Sequence, residues 1–406
     1  MSPLFPGNLR RLVVALLLVF TVETVSAQAQ EKPLVLVGGT VFPKPGVTPI
    51  EDAVLVLRNG QIAAVGPRSE ERIPPNAKLI DARGRFLTAG YWNAHVHFTK
   101  HFIPAHKLSD AELGRHVNDM FLRWGCVNAV DVGSWLENTL AIRRRIESGD
   151  VSGPRIITAG SGFAPLDASP YYIKPRQLPE LANAAQARSL VTAHIASGAD
   201  LIKLFTGSWA TPMRIEPMPL DVVRAAVDAA HERGILVFAH PSNSTGARAA
   251  IEGGVDVLAH TFPNESDGPW DRSLPAAMAR RGMALVPTLK LWRRGNEQLA
   301  LAQLRAIHEA GVPILFGTDV GYMRDSDTTE EFRLMALAGM DHAAILASLT
   351  TAPAERFGFA DRAGRLMVGY EGDVVVLAAD PRDDPTAFAK VEITIRRGQV
   401  VYSRNR

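Results

Sequence analysis

The sequence is short of cysteine, of excess charge and of long apolar stretches. Cys126 is the only cysteine among the 406 residues, so the chain cannot form an intrachain disulfide even in an oxidising compartment. The formal net charge is +2, which offers no general electrostatic attraction for nucleic acid or an anionic membrane. The apolar stretch at residues 12–22 is shorter than the roughly 20 residues that a spanning helix needs. What remains is a globular protein, and 47% hydrophobic residues supply a large core.

The first 27 residues have the three parts of a secretory signal peptide. Arg10 and Arg11 precede the apolar residues 12–22, and Val25 and Ala27 stand at the −3 and −1 positions of a cleavage site. We expect cleavage after Ala27 and a periplasmic or secreted mature chain without a membrane attachment. A retained membrane anchor is the alternative, which the short apolar stretch disfavours.

Short β-branched runs lie at both ends of the mature chain. A small antiparallel sheet is predicted from the N-terminal segments KPLVLVGGTVF, AVLVLRNGQIAAVG and AKLIDARGRFL. The same residue pattern occurs near the C-terminus in DVVVLAAD and VEITIRRGQVVYS. Between them apolar runs alternate with helical patterns, as expected for parallel βα units of the α/β class. Helices are predicted near residues 136–149, 181–198, 221–234, 244–254, 301–311 and 330–340. Eight apolar runs, the number that a closed (β/α)8 barrel needs, lie near residues 88–93, 126–131, 155–159, 200–205, 235–239, 255–259, 284–288 and 314–317.

Six polar residues lie at or just beyond the C-terminal ends of these runs. The strands of a (β/α)8 barrel direct those ends into one mouth, so we expect the six side chains to meet there. Two of them are separated by one residue and face the same side of a strand, where two imidazoles can bind one metal ion. The candidate metal ligands are His95, His97, Lys203, His240, His260 and Asp319.

Lys203 and Asp319 have the most specific predicted roles. Lys203 interrupts the apolar run ADLIKLF, where a lysine must lose its charge or find a partner. As a neutral amine it could react with CO₂ to give a carbamate, an anion able to bridge two metal ions; the alternative is an ammonium group that reaches solvent at the strand end. Asp319 ends ILFGTD, where an aspartate can also serve only as a turn or helix-cap residue.

The succession of HxH, IK, FAH, AH and GTD, each ending an apolar run, resembles the amidohydrolase superfamily and most closely its imidazolonepropionase-like and prolidase-like branches. The resemblance extends from VLVGGTVF to GYEGDVVVLAADP. It implies a (β/α)8 barrel over residues 87–353 and a small β-sandwich domain formed by residues 33–86 and 354–404. It also implies two divalent metal ions, Zn²⁺ being the first choice, bridged by N6-carboxylated Lys203. His95, His97 and Asp319 would bind the first ion, and His240 and His260 the second.

These features suggest a secreted hydrolase that cleaves a linear C–N amide, in a dipeptide or N-acyl amino acid, by attack of a metal-bridging hydroxide. Asp319 would be the catalytic residue that takes a proton from the water and returns it to the leaving amine. A cyclic-amide, lactone or ester hydrolase on the same metal centre is the enzymatic alternative. A mononuclear deaminase is disfavoured because PSNS follows His240, without the expected glutamate. A non-catalytic scaffold protein is the alternative from another class.

Two departures from the family leave the substrate open. The turn after the third run is AGSGFAP, where related dipeptidases commonly carry a histidine, and Trp92 and Asn93 replace an aliphatic residue and an aspartate before HxH. We expect a small-molecule substrate and no nucleic-acid partner, and we leave a homo-oligomer open. No substrate-binding residue is assigned, although the loops offer groups for an aromatic or carboxylate-bearing ligand: Tyr171, Tyr172, Lys174, Arg176, Trp270, Trp292, Arg293 and Tyr322.

Overall fold

The computed structural model describes residues 32–405, so the signal peptide predicted for residues 1–27 lies outside the described residues. The described chain has a mixed α/β fold. Its strands are β1 (Leu34–Val41), β2 (Ile50–Arg58), β3 (Gln61–Pro67), β4 (Lys78–Asp81), β5 (Phe86–Ala89), β6 (Tyr91–Val96), β7 (Cys126–Asp131), β8 (Arg155–Thr158), β9 (Ala164–Pro165), β10 (Glu180–Leu181), β11 (Ile202–Phe205), β12 (Gly207–Thr211), β13 (Arg214–Pro217), β14 (Val237–His240), β15 (Val257–Ala259), β16 (Ala284–Val286), β17 (Val374–Leu377), β18 (Val391–Arg396) and β19 (Gln399–Ser403). Its α-helices are α1 (Asp110–Met120), α2 (Leu136–Glu147), α3 (Ala184–Ala196), α4 (Leu220–His231), α5 (Ser244–Gly253), α6 (Leu274–Arg280), α7 (Glu297–Glu309), α8 (Thr329–Leu337), α9 (His342–Leu349) and α10 (Thr351–Arg356).

Strands from both ends of the described chain share one eight-stranded sheet. Its order is β19-β18-β17-β5-β1-β2-β3, with β4 also paired to β1. β1 and β2 are antiparallel, with Leu34 opposite Leu57, but β1 pairs in parallel with β4 and β5. The short β-branched runs had predicted an antiparallel sheet. The observed sheet is instead mixed, because it contains parallel pairs as well. Side chains from distant strands, including Leu36, Leu55 and Val376, are buried in one apolar cluster on it.

Gly90 separates this sheet from the first parallel strand. The sequence predicted a single strand near residues 88–93, whereas β5 ends at Ala89 in the terminal sheet and β6 begins at Tyr91 in a parallel sheet. A Cβ atom at position 90 would lie 2.4 Å from Val127 Cγ2. Glycine therefore lets the backbone pass close to β7 while it changes sheets.

The predicted βα units form two parallel sheets, β6-β7-β8 and β11-β14-β15-β16. Seven of the eight predicted runs contain one of these strands. Isolated parallel bridges join Phe163 to Leu204, Leu285 to Ile314 and Val96 to Val320, so backbone contacts continue between the two sheets at both of their edges. β12 and β13 form a hairpin directly after β11, which the sequence did not predict.

The eighth predicted run, near residues 314–317, makes single bridges instead of a regular ladder. Leu315 N donates to Leu285 O at 2.8 Å, and Ala94 N donates to Phe316 O at 2.7 Å, so the segment lies between β16 and β6. A Cβ atom at Gly317 would lie 2.3 Å from Val286 Cγ1. The backbone then turns into the left-handed region at Asp319, where φ is +57°. Close packing followed by this turn leaves no room for a longer strand.

Helices alternate with the parallel strands, and each of the six predicted helical segments overlaps one. In α4 the apolar residues Val222, Val223, Ala226 and Val227 are buried, which fits the helical period of the sequence. Asn243 caps α5 by accepting a hydrogen bond from Gly246 N, and Gly254 in the left-handed conformation ends it. Among the described residues, no helix has both the length and the apolar character needed to cross a bilayer.

Candidate metal centre

All six predicted ligands line one cavity of about 1130 Å³. His95 lies in β6 and His97 just beyond it, Lys203 lies in β11, and His240 ends β14. His260 directly follows β15, and Asp319 follows the segment between β16 and β6. Residues separated by more than two hundred positions thus meet because their strands end at the same edge.

His95, His97 and Asp319 form the tightest part of this group. Their ligand atoms all lie within 4.8 Å of one another. Asp319 Oδ1 is 2.9 Å from His97 Nε2 and 3.4 Å from His95 Nε2. His95 and Asp319 are buried, whereas His97 retains partial access to the cavity. One carboxylate oxygen therefore faces two imidazole nitrogens inside the protein.

The proton positions in this group leave room for a cation. His97 Nδ1 lies 3.1 Å from Gly133 O. A carbonyl oxygen only accepts, so Nδ1 carries a proton, and Nε2 is the atom that faces the Asp319 carboxylate at 2.9 Å. Burial lowers the pKa of His95 to about 3, so that ring does not supply a positive charge near neutral pH. Imidazole nitrogens and a carboxylate oxygen that converge in this way are donors that suit a divalent metal ion.

Asp319 is ionised in this setting. Burial by itself would raise its pKa, but hydrogen bonds with His95 and His97 outweigh burial and hold the pKa well below its usual range. The residue also adopts a φ of +57°, which is uncommon for a side chain other than glycine. Such backbone conformations are concentrated at functional sites, where the surrounding structure enforces them.

His240 and His260 lie beside the first group. Their ring centroids are 4.9 Å apart, and the rings of His95 and His260 are 4.5 Å apart. Burial, followed by the nearby basic groups, lowers the pKa of both His240 and His260 well below the ordinary value, so both rings are neutral. Neutral imidazoles are able to bind a metal ion, so these two side chains are candidates for further ligands.

Thr288 selects the tautomer of His260. The Thr288 hydroxyl donates to Pro287 O at 2.9 Å, so its oxygen accepts from Nδ1–H of His260 at 2.6 Å. The Nε2 atom of His260 then keeps its lone pair. Thr288 is fully buried with a φ of +42°, a strained value for a β-branched residue. Sequence reasoning missed Thr288, although its position at the end of the seventh predicted run matches that of the predicted ligands.

Lys203 faces the same cavity. The residue is 2% exposed, so its head stays inside the molecule and does not escape to bulk solvent. Across residues 32–405, no hydrogen bond or ion pair engages Nζ, and its nearest ring contact is Phe205, with 5.8 Å between Nζ and the ring centroid. Burial lowers the pKa of Lys203 to about 7, against the opposing effect of Asp319. The amine is therefore available in its neutral form near physiological pH.

Asn93 and Gly321 hold the loop around Asp319 in place. Asn93 Nδ2 donates to Thr318 Oγ1 at 2.8 Å, and Thr318 N donates to Asn93 Oδ1 at 3.2 Å. Asn93 stands where relatives usually carry an aspartate, and these two hydrogen bonds give it a structural role here. At Gly321, with φ of +103°, a Cβ atom would lie 1.9 Å from His97 O. Only glycine allows the loop to approach the His97 backbone this closely.

The cavity wall is aromatic and basic. Six of the eight loop residues considered for ligand contacts line it, whereas Trp270 is buried elsewhere and Arg293 forms an ion pair with Glu330 at 3.2 Å. Trp209 from the β12–β13 hairpin also lines the cavity, which no sequence signal had indicated. The six lining residues are Tyr171, Tyr172, Lys174, Arg176, Trp292 and Tyr322.

Comparison with known proteins identifies the family of the chain. Residues 86–401 match the amidohydrolase family. An ochratoxinase of Aspergillus niger is 24% identical over 438 residues, covering 90% of this chain and 88% of that protein. A putative prolidase from Bifidobacterium longum has a similar structure, with a TM-score of 0.77 and 25% identity over 92% of this chain and 95% of that one. A Xaa-Pro dipeptidase with bound methionine gives a TM-score of 0.79 and 21% identity over 92% and 100%.

Proposed function

Since the chain belongs to the amidohydrolase family and is a hydrolase of carbon–nitrogen amide bonds, we propose that it is a secreted binuclear metalloenzyme that cleaves linear amides. The observation that carries this proposal is the meeting of His95, His97 and Asp319, whose ligand atoms all lie within 4.8 Å of one another. Lys203, His240 and His260 extend the same site.

The six side chains divide naturally between two ions. His95, His97 and Asp319 would hold the first, His240 and His260 the second, and an N6-carboxylated Lys203 would bridge them. Zn²⁺ suits this set of imidazole and carboxylate donors. Bound there, the ions would lower the pKa of a shared water and polarise the scissile carbonyl. Lys203 is buried and, within residues 32–405, its Nζ has no hydrogen-bond or ion-pair partner. This supports carboxylation, because a carbamate on Nζ would supply an anionic ligand for the metal ions.

Asp319 is the proposed proton carrier. Its ionised carboxylate faces the shared centre of the site and can accept a proton from the attacking water. The same oxygen then returns the proton to the leaving amine, so one residue serves both steps. Hydrogen bonds from Asn93 to Thr318 and the close contact at Gly321 hold this carboxylate in place. Tyr172 and Tyr322, whose ring centroids are 5.7 Å apart, form an aromatic part of the cavity wall.

A linear amide is the substrate class that the site supports best. Two proteins that this chain resembles are named ochratoxinase and Xaa-Pro dipeptidase, and the cavity of about 1130 Å³ has room for a molecule larger than a single amino acid. Aromatic residues along the wall favour a substrate with a ring or other apolar group. We therefore propose a dipeptide or an N-acyl amino acid.

The proposal includes the arrangement of the fold. The bridges Phe163–Leu204, Leu285–Ile314 and Val96–Val320 support closure of the two parallel sheets into a (β/α)8 barrel over residues 87–353. The shared terminal sheet and its buried cluster support a composite β-sandwich domain from residues 33–86 and 354–404. Secretion to the periplasm or exterior rests on the signal peptide proposed for residues 1–27.

Hydrolysis by the metal-loaded mature chain tests the function. The substrates would be dipeptides, N-acyl amino acids, cyclic imides, lactones and esters, with Lys203→Ala as the blank and metal content measured for both proteins. We expect two metal ions per chain and amine release from linear amides, both reduced in the blank. Turnover of rings or esters alone would contradict the substrate class. A chain that binds no metal when zinc and bicarbonate are supplied would contradict the proposed centre.

A further inference from the structure

Arg176 is a half-buried cation in the cavity wall without an acidic partner. Its Nη2 donates to Ser134 O at 3.2 Å and to Ser161 Oγ at 3.0 Å. Within residues 32–405, no carboxylate forms an ion pair with it, and its Nε and Nη1 groups have no hydrogen-bond acceptor. Burial lowers the pKa of Arg176, with Asp131 as a more distant opposing charge. A guanidinium group held this way has donors available for a ligand.

The other positive groups of the wall are less suited to a fixed contact. Lys100 and Lys174 line the cavity but are exposed. An exposed ammonium is well hydrated and mobile, whereas a planar guanidinium can bind a carboxylate with two parallel hydrogen bonds. Arg176 also lies 5.7 Å from the centroid of the Trp135 ring, and this contact together with its two serine contacts restrains its direction. Arg176 is therefore the best-defined anion site in the cavity wall.

Arg176 and the predicted ligand His97 form hydrogen bonds with adjacent residues of one loop. It donates to the carbonyl of Ser134, and the adjacent residue Gly133 accepts from His97 Nδ1 at 3.1 Å. The guanidinium and His97 are thus held by neighbouring peptide units of one loop. Arg176 and the predicted ligands also line the same cavity, so one substrate molecule could contact both.

We propose that Arg176 binds a free carboxylate of the substrate and thereby selects N-acyl amino acids or dipeptides over neutral amides. This inference rests on the proposed amidase function and narrows its substrate class. Among the described residues, Asp319 is the only acidic one in the cavity lining, whereas Lys100, Lys174, Arg176 and Lys203 are basic. The aromatic residues Tyr172, Trp292 and Tyr322 then face the apolar part of the ligand.

The test compares each amide with the same molecule lacking its carboxylate, for example N-acetyl-L-phenylalanine and N-acetyl-2-phenylethylamine. Wild-type protein should prefer the carboxylate form by roughly 10- to 100-fold in kcat/KM, the factor expected for hydrogen bonds to a charged group. In Arg176→Met this preference should collapse to about threefold or less, mainly through KM, while Arg176→Lys keeps part of it. Arg293→Met removes an arginine outside the lining and should keep the full preference.

The outcomes separate anchoring from a structural role. If Arg176 only ties Ser134 to Ser161, the methionine variant will lose activity equally on both members of each pair, and that result overturns the inference. Metal content and melting temperature, measured on every variant, identify damage to the site.

A wild-type protein that releases amine from no pair would instead contradict the proposed function. Calorimetry would then measure binding of N-acetyl-L-phenylalanine to metal-loaded wild type and Arg176→Met, and would test whether Arg176 binds the carboxylate. Loss of binding in Arg176→Met supports it, and equal binding by the two proteins, or binding by neither, overturns it.

Discussion

Thr288→Val tests whether a buried hydroxyl prepares His260 for metal binding. Valine has nearly the same shape as threonine and is also β-branched, so the strain at φ of +42° is retained. The change removes only the oxygen that accepts from His260 Nδ1 at 2.6 Å and donates to Pro287 O at 2.9 Å. With that oxygen gone, His260 loses the contact that keeps the proton on Nδ1 and the lone pair on Nε2.

The magnitude follows from the burial of both residues. Thr288 is 0% and His260 4% exposed, so water does not readily replace the lost partner. A buried donor left without an acceptor costs about 1–3 kcal/mol, and loss of a group that orients a metal-binding histidine typically lowers metal affinity by about 10- to 100-fold. We expect Thr288→Val to weaken zinc binding within that range and to lower the free energy of unfolding of the metal-free protein by roughly 1–3 kcal/mol.

Competition with a chromophoric chelator would measure the zinc affinity, and urea denaturation the stability. Thr288→Ser is the matched control because it keeps the hydroxyl and removes only a methyl group, so its zinc affinity should stay within a few-fold of wild type. If Thr288→Val is folded and binds both zinc ions as tightly as wild type, the hydroxyl does not control the His260 tautomer and the reasoning is refuted.

Three further predictions concern other parts of the molecule. Asp319→Asn should abolish turnover yet retain much of the metal and leave the metal-free fold as stable, because an amide has both a donor and an acceptor and can still hydrogen-bond with His97 Nε2. Amine release, metal analysis and urea denaturation would check this, and near-wild-type rates would exclude Asp319 as the proton carrier. Gly321→Ala should lower both metal affinity and melting temperature, because the new Cβ would meet His97 O at 1.9 Å in a backbone with φ of +103°. Gly268→Ala is the control, since its φ of +112° carries similar strain but no atom lies within 4 Å of the Cβ position. Equal losses in the two variants would show that backbone strain, rather than the His97 contact, causes the effect. Burial raises the pKa of Glu331 from 4.5 to about 7 despite backbone hydrogen bonds from Lys290 and Leu289, so the folded protein holds this proton more tightly than the unfolded chain, and the free energy of unfolding should fall as pH rises across that interval. Glu331→Gln should remove that part of the slope in urea denaturation series, and an unchanged slope would locate the pH dependence elsewhere.

The family and the set of strand-end residues could be predicted from the sequence. The resemblance to amidohydrolases is confirmed by the match over residues 86–401. The six candidate ligands could be placed together because parallel strands bring their carboxyl ends to one edge, so residues at those ends converge whatever their separation in the chain. The metal ligation itself stays a prediction, as do the leader and secretion.

Contacts between distant segments decided what the sequence left open. At Gly90 the chain passes from one sheet to another, with β7 packed closely against it. The hydrophobic periodicity of residues 88–93 does not depend on β7, so it could not predict this break. Residues 314–317 have the composition of a strand, yet they make single bridges because Gly317 is pressed against Val286. In both cases the deciding atom belongs to a residue far away in the sequence.

The amino-acid sequence by itself determined the chemistry that is available: four histidines, a lysine in an apolar run and an aspartate, at the ends of regularly spaced strands. The tertiary structure alone decided how that chemistry is arranged. Within the described part of the chain, it left Lys203 without a hydrogen-bond or ion-pair partner, turned His97 Nδ1 toward Gly133 O and brought Thr288 to His260. In the same part of the chain it gave an acidic partner to Arg293 but not to Arg176. The physical reason is that residue type and spacing are local, whereas burial, proton position and charge pairing depend on which distant atoms come within a few ångströms.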